Sequence, residues 1–275
     1  MTTERFAPSP TGLLHLGHAF SAFKAYEAAR KVDGQFLLRI EDIDFNRCKT
    51  GFENQIYDDL HWLGIRWNTP VMRQSERRAA YDGALDHMWK SGFLFGCSCS
   101  RKDIAISSAP QEGGDALIGP DGVVYPGACR KIKQPFDIPN VALRFNLQRI
   151  EKETFSFEDE SGLVTKFTKA DVQKYIGEVV LARKDIGISY HLAVVLDDAA
   201  QGVTHVTRGE DLFEATKIHV LLQHVLGLPT PVYRHHKLIR DEHGKRLAKR
   251  DDARSIRSYR DAGMSVDQVL SLING

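Results

Sequence analysis

The run Arg5-Phe-Ala-Pro-Ser-Pro-Thr-Gly-Leu-Leu-His-Leu-Gly-His18 constrains this chain more than any other stretch. A short apolar segment stops at Pro8, Pro10 and Gly12, and beyond Gly17 the residues Ala, Phe, Tyr and Ala recur at helical spacing to about Arg30. The pattern reads as a buried strand, a Pro/Gly turn and a helix whose first turn carries His15 and His18. A helix N-terminus presents unpaired N–H groups and the positive end of a dipole, so this one suits an anion such as phosphate. Residues three apart share a helix face, and glycine at 17 leaves room for a flat ring to approach the backbone.

Two distant segments extend this reading. Lys245-Arg-Leu-Ala-Lys-Arg-Asp251 follows a strand-like run (232–239) and a turn at Asp241-Glu-His-Gly244, so four cations share one loop suited to a polyphosphate. Arg39-Ile-Glu-Asp-Ile-Asp44 closes a second strand-like run, 35–40. Acids at the C-terminal end of a parallel strand lie where open α/β sheets bind ligands.

In this order, Arg5–Gly12, His15–His18, Arg39–Asp44 and Arg246–Arg250 resemble four motifs of the catalytic domain of class I glutamyl-tRNA synthetases. The resemblance covers residues 5 to 250, with Ala248 standing where the family usually has serine. It implies an enzyme in which His15, Gly17, His18, Lys249 and Arg250 hold ATP with Mg2+, with His15, His18 and Lys249 as the catalytic groups. Only 25 residues follow Arg250, room for a helical hairpin near 255–262 and 265–273 with Gly263 between. The chain is therefore most similar to the truncated branch of the family. That branch attaches L-glutamate to the queuosine base in the anticodon loop of tRNA(Asp), not to a tRNA 3′ end. Charging of a 3′ end by a shortened synthetase, glutamate activation for another acceptor, and a non-catalytic RNA-binding relative are the competing readings. Intact His15, His18 and Lys249 argue against the last.

The chemistry of glutamate fits residues at matching positions. An ammonium needs an acid, and Glu41 supplies one. Two carboxylates need fixed cations, and the guanidinium forks of Arg5 and Arg208 provide them. Ser9 and Tyr190 can add neutral hydrogen bonds; the resemblance implies amino-acid contacts at all five positions.

The middle of the chain carries Cys97-Ser-Cys99 and Tyr125-Pro-Gly-Ala-Cys129. Thiolates favour zinc, and a structural site takes four ligands. Three cysteines leave one place for Tyr125, a set that the truncated branch also uses. The loop between them, with Gly113-Gly114 and Gly119-Pro120, is poor in apolar residues and gains from a metal clip. Reduced, unligated cysteines are the alternative, and Cys48 stands apart as a packed thiol.

The expected fold is α/β: a Rossmann-type parallel-sheet nucleotide-binding domain with an inserted zinc-containing α+β subdomain and a short C-terminal helical segment. Residues 1–69 are expected to form the first half of the catalytic domain and 70–185 the insertion. Residues 186–240 form the second half, and 241–275 the late lysine loop and helices. Within this scheme 75–91 and 212–226 read as helices, 141–146 and 154–168 as strands. The apolar run 189–197 also reads as a strand, and Thr204-His-Val-Thr-Arg-Gly-Glu-Asp211 as a turn.

Composition bounds the class. With 42% hydrophobic and 27% charged residues among 275, the chain is an ordinary globular one. No apolar run reaches membrane-spanning length and no leader pattern precedes the first strand, so neither a membrane span nor a signal peptide is expected; the few cysteines suit a reducing cytoplasm, and a monomer is expected. Four cysteines in this length do not suggest a disulfide scaffold. Net charge is only +1, but residues 234–260 hold ten Lys/Arg against four Asp/Glu, the distribution of an RNA-facing surface.

Overall fold

The structure, a computed structural model, describes residues 1–68, 70–108, 116–132, 135, 137–184, 187–239 and 254–274. The chain opens with β1 (Thr3–Phe6), α1 (Leu16–Lys31), β2 (Gln35–Ile40), α2 (Thr50–Trp62) and β3 (Met72–Arg73). Then come α3 (Arg78–Lys90), β4 (Leu94–Cys97), α4 (Arg101–Ser107), β5 (Ile118–Gly119), β6 (Gly122–Val123) and β7 (Ala142–Phe145). They are followed by β8 (Thr154–Glu158), β9 (Val164–Thr168), α5 (Lys169–Tyr175), β10 (Val180–Arg183), β11 (Gly187–Ile188) and α6 (Tyr190–Ala200). The last are β12 (His205–Gly209), α7 (Phe213–Leu226), β13 (Val232–His236), α8 (Ile256–Asp261) and α9 (Val266–Asn274). These elements form two compact units. One comprises Met1–Glu76, Gly202–Asp211 and Pro231–Gly275, and the other Arg77–Gln201 and Leu212–Thr230.

In the first unit every strand pair is parallel: β1 with β2, β2 with β3, and β12 with β13. Thr204 N–H donates to Thr3 O at 3.0 Å and sets β12 beside β1. Side chains alternate between sheet faces, and partners in parallel register share a face. Phe6, Phe36, Leu38 and Ile40 therefore point together, and they pack on α1 through Ala19, Ala22, Ala25 and Ala29. The alanine stripe lets that helix lie close to the sheet. The same buried cluster includes Ile56 and Leu60 of α2, Ile256 of α8, and Val269 and Ile273 of α9. Gly263, at φ +79°, makes the turn between α8 and α9, where a side chain would strain the backbone.

The second unit holds an antiparallel sheet in the order β11-β10-β7-β4, and a separate β8–β9 hairpin. Phe157 of the hairpin meets Phe213 of α7 edge-on at 5.7 Å. Arg77 Nε and Tyr81 Oη both donate to the fully buried Asp197 of α6, at 2.7 and 2.8 Å. This ion pair anchors α3 to α6.

Two expectations fail here. Residues 190–200 form a helix, not a strand. Leu192, Ala193, Val194 and Val195 are buried on all sides, so the run lacks the polar face that marks a helix in sequence. Residues 205–209 form the strand β12, not a turn. Its interior is polar, but Thr207 and Arg208 are buried and bonded, so the polarity reflects partners and not exposure. The strand expected over 232–239 ends at His236. The helices at 78–90 and 213–226, the strands at 142–145, 154–158 and 164–168, and the C-terminal helical pair stand within a few residues of the expected places.

Candidate functional site

The chain turns from β1 into α1 through Pro8 and Pro10, and His15 becomes the N-cap of the helix. His15 Nδ1 accepts the Gly17 N–H at 3.1 Å, and His18 Nδ1 accepts the His15 N–H at 3.2 Å. The result is a capping box built from two imidazoles. A backbone N–H can only donate, so each Nδ1 carries a lone pair and each neutral ring keeps its proton on Nε2. Both Nε2–H groups are then donors, beside a helix N-terminus whose field favours an anion.

The C-terminal segment reaches this turn. His15 bridges Ser255, and Ile256 N–H donates to Leu14 O at 2.8 Å. Lys249 and Arg250 precede that contact in sequence and lie outside the described residues, as do Gly113 and Gly114.

The charged groups expected to hold an amino acid sort by the pleat. Glu4 accepts from Thr207 at 3.1 Å and from Arg234 Nη1 at 2.8 Å, while His236 bonds Ser21 of α1 at 2.7 Å. Those side chains occupy the α1 face. Arg5, one residue from Glu4, and Arg208, one from Thr207, therefore share the opposite face. Arg5 is in register with Leu37, so Arg39 and Glu41, two and four residues on, belong to that face as well. Glu41 sits just past the C-terminal end of β2, where its N–H donates to Pro8 O at 3.0 Å. The sheet thus brings Arg5, Glu41 and Arg208 to one face at the C-terminal ends of parallel strands. Ser9 is exposed in the neighbouring β1–α1 turn, and Tyr190 opens α6 in the second unit.

Two partners escaped the sequence reading. The fully buried Arg39 donates from Nη2 to Glu41 Oε1 at 3.1 Å and orients that carboxylate. The i,i+2 spacing of Arg39 and Glu41 on a strand was the available signal. His235 accepts from Arg208 Nε at 3.4 Å, a pairing between strands far apart in sequence that no local pattern announces.

In the second unit β4 and the turn at 125–129 bring Cys97, Cys99, Tyr125 and Cys129 together. The three sulfurs lie within 4.8 Å of one another, with Cys99 and Cys129 at 3.4 Å. Tyr125 Oη is 3.5 Å from Cys97 Sγ and 4.0 Å from Cys99 Sγ. Zn–S bonds of about 2.3 Å and Zn–O bonds of about 2.0 Å in a tetrahedron require S···S near ~3.8 Å and S···O near ~3.5 Å. The four atoms fit a zinc ion. Cys129 N–H donates to Tyr125 Oη at 2.7 Å, which favours a phenolate there. Burial pushes the Cys99 thiol up to about 11, with hydrogen bonds to Cys129 and Cys97 adding to it. Burial also raises Cys129, but hydrogen bonds from Tyr125 and Cys99 outweigh it and bring that thiol down to about 7. Burial drives the Tyr125 phenol strongly upward, so ionising it requires a cation. Gly177, at φ +81°, lets this turn approach: a Cβ there would stand 2.9 Å from Val124 and 3.1 Å from Tyr125 N.

The sequence pattern of the class I tRNA synthetase catalytic domain for glutamate and glutamine matches residues 1–274. The chain is 56% identical over 98% of its length, and 98% of the relative's, to the glutamyl-Q tRNA(Asp) synthetase of Rhodobacter capsulatus. It is 40% identical to the enzyme of that name from Geobacter sulfurreducens, over 94% of this chain and 78% of the relative. Among solved structures, it resembles a glutamate–tRNA ligase from Elizabethkingia meningosepticum in complex with its amino acid. The TM-score is 0.71 and the identity 27%, over 91% of this chain and 52% of that one. The chain thus spans about half the length of that solved ligase. Among the described residues no helix is long and apolar enough to cross a membrane.

Proposed function

The chain belongs to the class I glutamyl- and glutaminyl-tRNA synthetase family, and from that membership we propose that it activates L-glutamate with ATP and transfers it to the queuosine base at the anticodon wobble position of tRNA(Asp). Arg5, Glu41 and Arg208 on one sheet face carry this reading, since glutamate needs one anion and two cations at fixed separation. Glu41, oriented by Arg39, takes the ammonium. Arg5 and Arg208 take the carboxylates, and Ser9 fixes orientation through a neutral hydrogen bond.

An oxygen of the α-carboxylate attacks the α-phosphorus of ATP in line and displaces pyrophosphate, giving glutamyl-adenylate. Charge grows on the phosphoryl oxygens in that step. The Nε2–H donors of His15 and His18, the first N–H groups of α1, Gly17, Lys249 and Arg250 meet it, and Mg2+ bound with ATP would add positive charge there. A hydroxyl of the queuine cyclopentenediol then attacks the activated carbonyl carbon, AMP leaves, and an ester joins glutamate to the base. The basic segment 234–260, with ten Lys/Arg against four Asp/Glu, is the candidate surface for the anticodon loop. Cys97, Cys99, Tyr125 and Cys129 would hold a structural zinc, which would tie the 125–129 turn to β4.

Labelled glutamate offered to tRNA(Asp) with and without queuosine tests this. Label is expected only on the queuosine-containing tRNA and to be lost when that base is removed. Label on the 3′ adenosine of either tRNA would refute the transfer step and favour the ordinary synthetase reaction.

A further inference from the structure

Arg208 stands opposite His235 in the parallel register of β12 and β13, and its Nε–H points to His235 Nε2 across 3.4 Å. The guanidinium carbon lies 5.1 Å from the centroid of Tyr233, and the His235 ring stacks parallel to that same phenol, 6° apart in plane. Arg208 is 5% exposed. An arginine Nε–H can only donate, so Nε2 of His235 supplies the lone pair and the neutral ring keeps its proton on Nδ1. A guanidinium held at Nε and backed by an aromatic face keeps its two Nη groups together as a fork. A fork set in advance loses little freedom when it meets a carboxylate.

We propose that His235 is a positioning residue for glutamate: it fixes Arg208 through Nε so that the Nη pair engages a carboxylate of the amino acid. The neighbouring His236 does not share this role, since it lies on the other face and bonds Ser21 and the carbonyl of Lys237. The proposal rests on the assignment of Arg208 to glutamate binding.

Glutamate-dependent ATP–pyrophosphate exchange by the full chain separates the two. His235→Leu removes the acceptor and is expected to raise KM for glutamate about tenfold, leaving KM for ATP within about twofold. His235→Gln places an amide oxygen near Nε2 and is expected to hold KM for glutamate within about threefold of the parent. Arg208→Ala is expected to raise it about a hundredfold or more. An unchanged KM for glutamate in His235→Leu, an equal loss for ATP, or no rescue by glutamine overturns the positioning role. If Arg208→Ala leaves glutamate unaffected, the glutamate assignment itself fails. If only Arg208→Ala has an effect, the positioning role fails alone. Should His235→Leu not fold, His235→Asn, whose shorter amide does not reach Nε, takes its place.

Discussion

His18 Nδ1 accepts the backbone N–H of His15 at 3.2 Å, and the two rings lie with centroids 3.7 Å apart. One side chain therefore does two jobs: it closes the N-terminus of α1 and presents an Nε2–H donor. His18→Ala removes both. The cap accounts for about 1 kcal/mol, or a fall in Tm of about 2–4 °C in a chain this size. Under the proposed mechanism, loss of the Nε2–H donor is expected to lower kcat for adenylate formation about a hundredfold or more. His18→Asn keeps a short acceptor for the cap, so its Tm is expected to recover while kcat stays low. Recovery of both in exchange assays and melting curves would leave His18 a structural residue only.

Glu41 meets the guanidinium of Arg39 at 3.1 Å, with Arg39 fully buried. Glu41→Gln preserves shape and removes the charge. Its KM for glutamate is expected to rise about tenfold or more, with KM for ATP nearly constant. Its stability is expected to drop by about 1–3 kcal/mol, because a buried cation then faces a neutral amide. Exchange kinetics and urea unfolding measure the two effects; a variant with parental KM for glutamate removes Glu41 from the binding site.

The cysteine cluster predicts one zinc per chain. Metal binding requires deprotonated ligands, so it is tied to folding of this lobe and is lost on acidification. Chelation, or Cys97→Ser, is expected to release zinc and lower Tm by about 10 °C. Tyr125→Phe is expected to weaken zinc retention without abolishing it, since three sulfurs remain. Elemental analysis of clean protein that finds no zinc ends this assignment.

Much of this architecture was legible because its local signals agree. The Pro/Gly turn before His15, the alternation over 154–168 and glycine at 263 each impose one backbone choice. The Cys-x-Cys and Tyr-x3-Cys spacings likewise named four side chains that stand together. Two segments misled for opposite reasons. α6 has apolar residues on every side, so burial erased its period. β12 is polar because Thr207 and Arg208 are bonded to Glu4 and His235, strands that sequence distance hides. The face shared by Arg5, Glu41 and Arg208 could not be read until the β1–β12 adjacency was known. Local pattern names candidate residues; sheet order decides which of them meet.

Asp59 of α2 is buried, accepts from Gln55 Nε2 at 2.8 Å, and has an Oδ2 without a partner among the described residues. Burial raises its pKa to about 6, against the opposing pull of Gln55 and of Arg260 on α8. The unfolded chain ionises near ~3.9. Below that value both states hold the proton and the residue is neutral toward stability. Between about 4 and 6 the folded state keeps a proton that the unfolded state has lost, so stability falls as pH rises. Above 6 the folded state carries the full cost of a buried charge, about 1–2 kcal/mol once screening by solvent and the nearby arginines is allowed for. Asp59→Asn keeps the acceptor for Gln55 and abolishes the titration. Its urea midpoint is expected to match the parent at pH 4 and to exceed it at pH 7.5. Equal midpoints at both pH values would show that Asp59 ionises without penalty, and that the contact between α2 and α8 tolerates the charge.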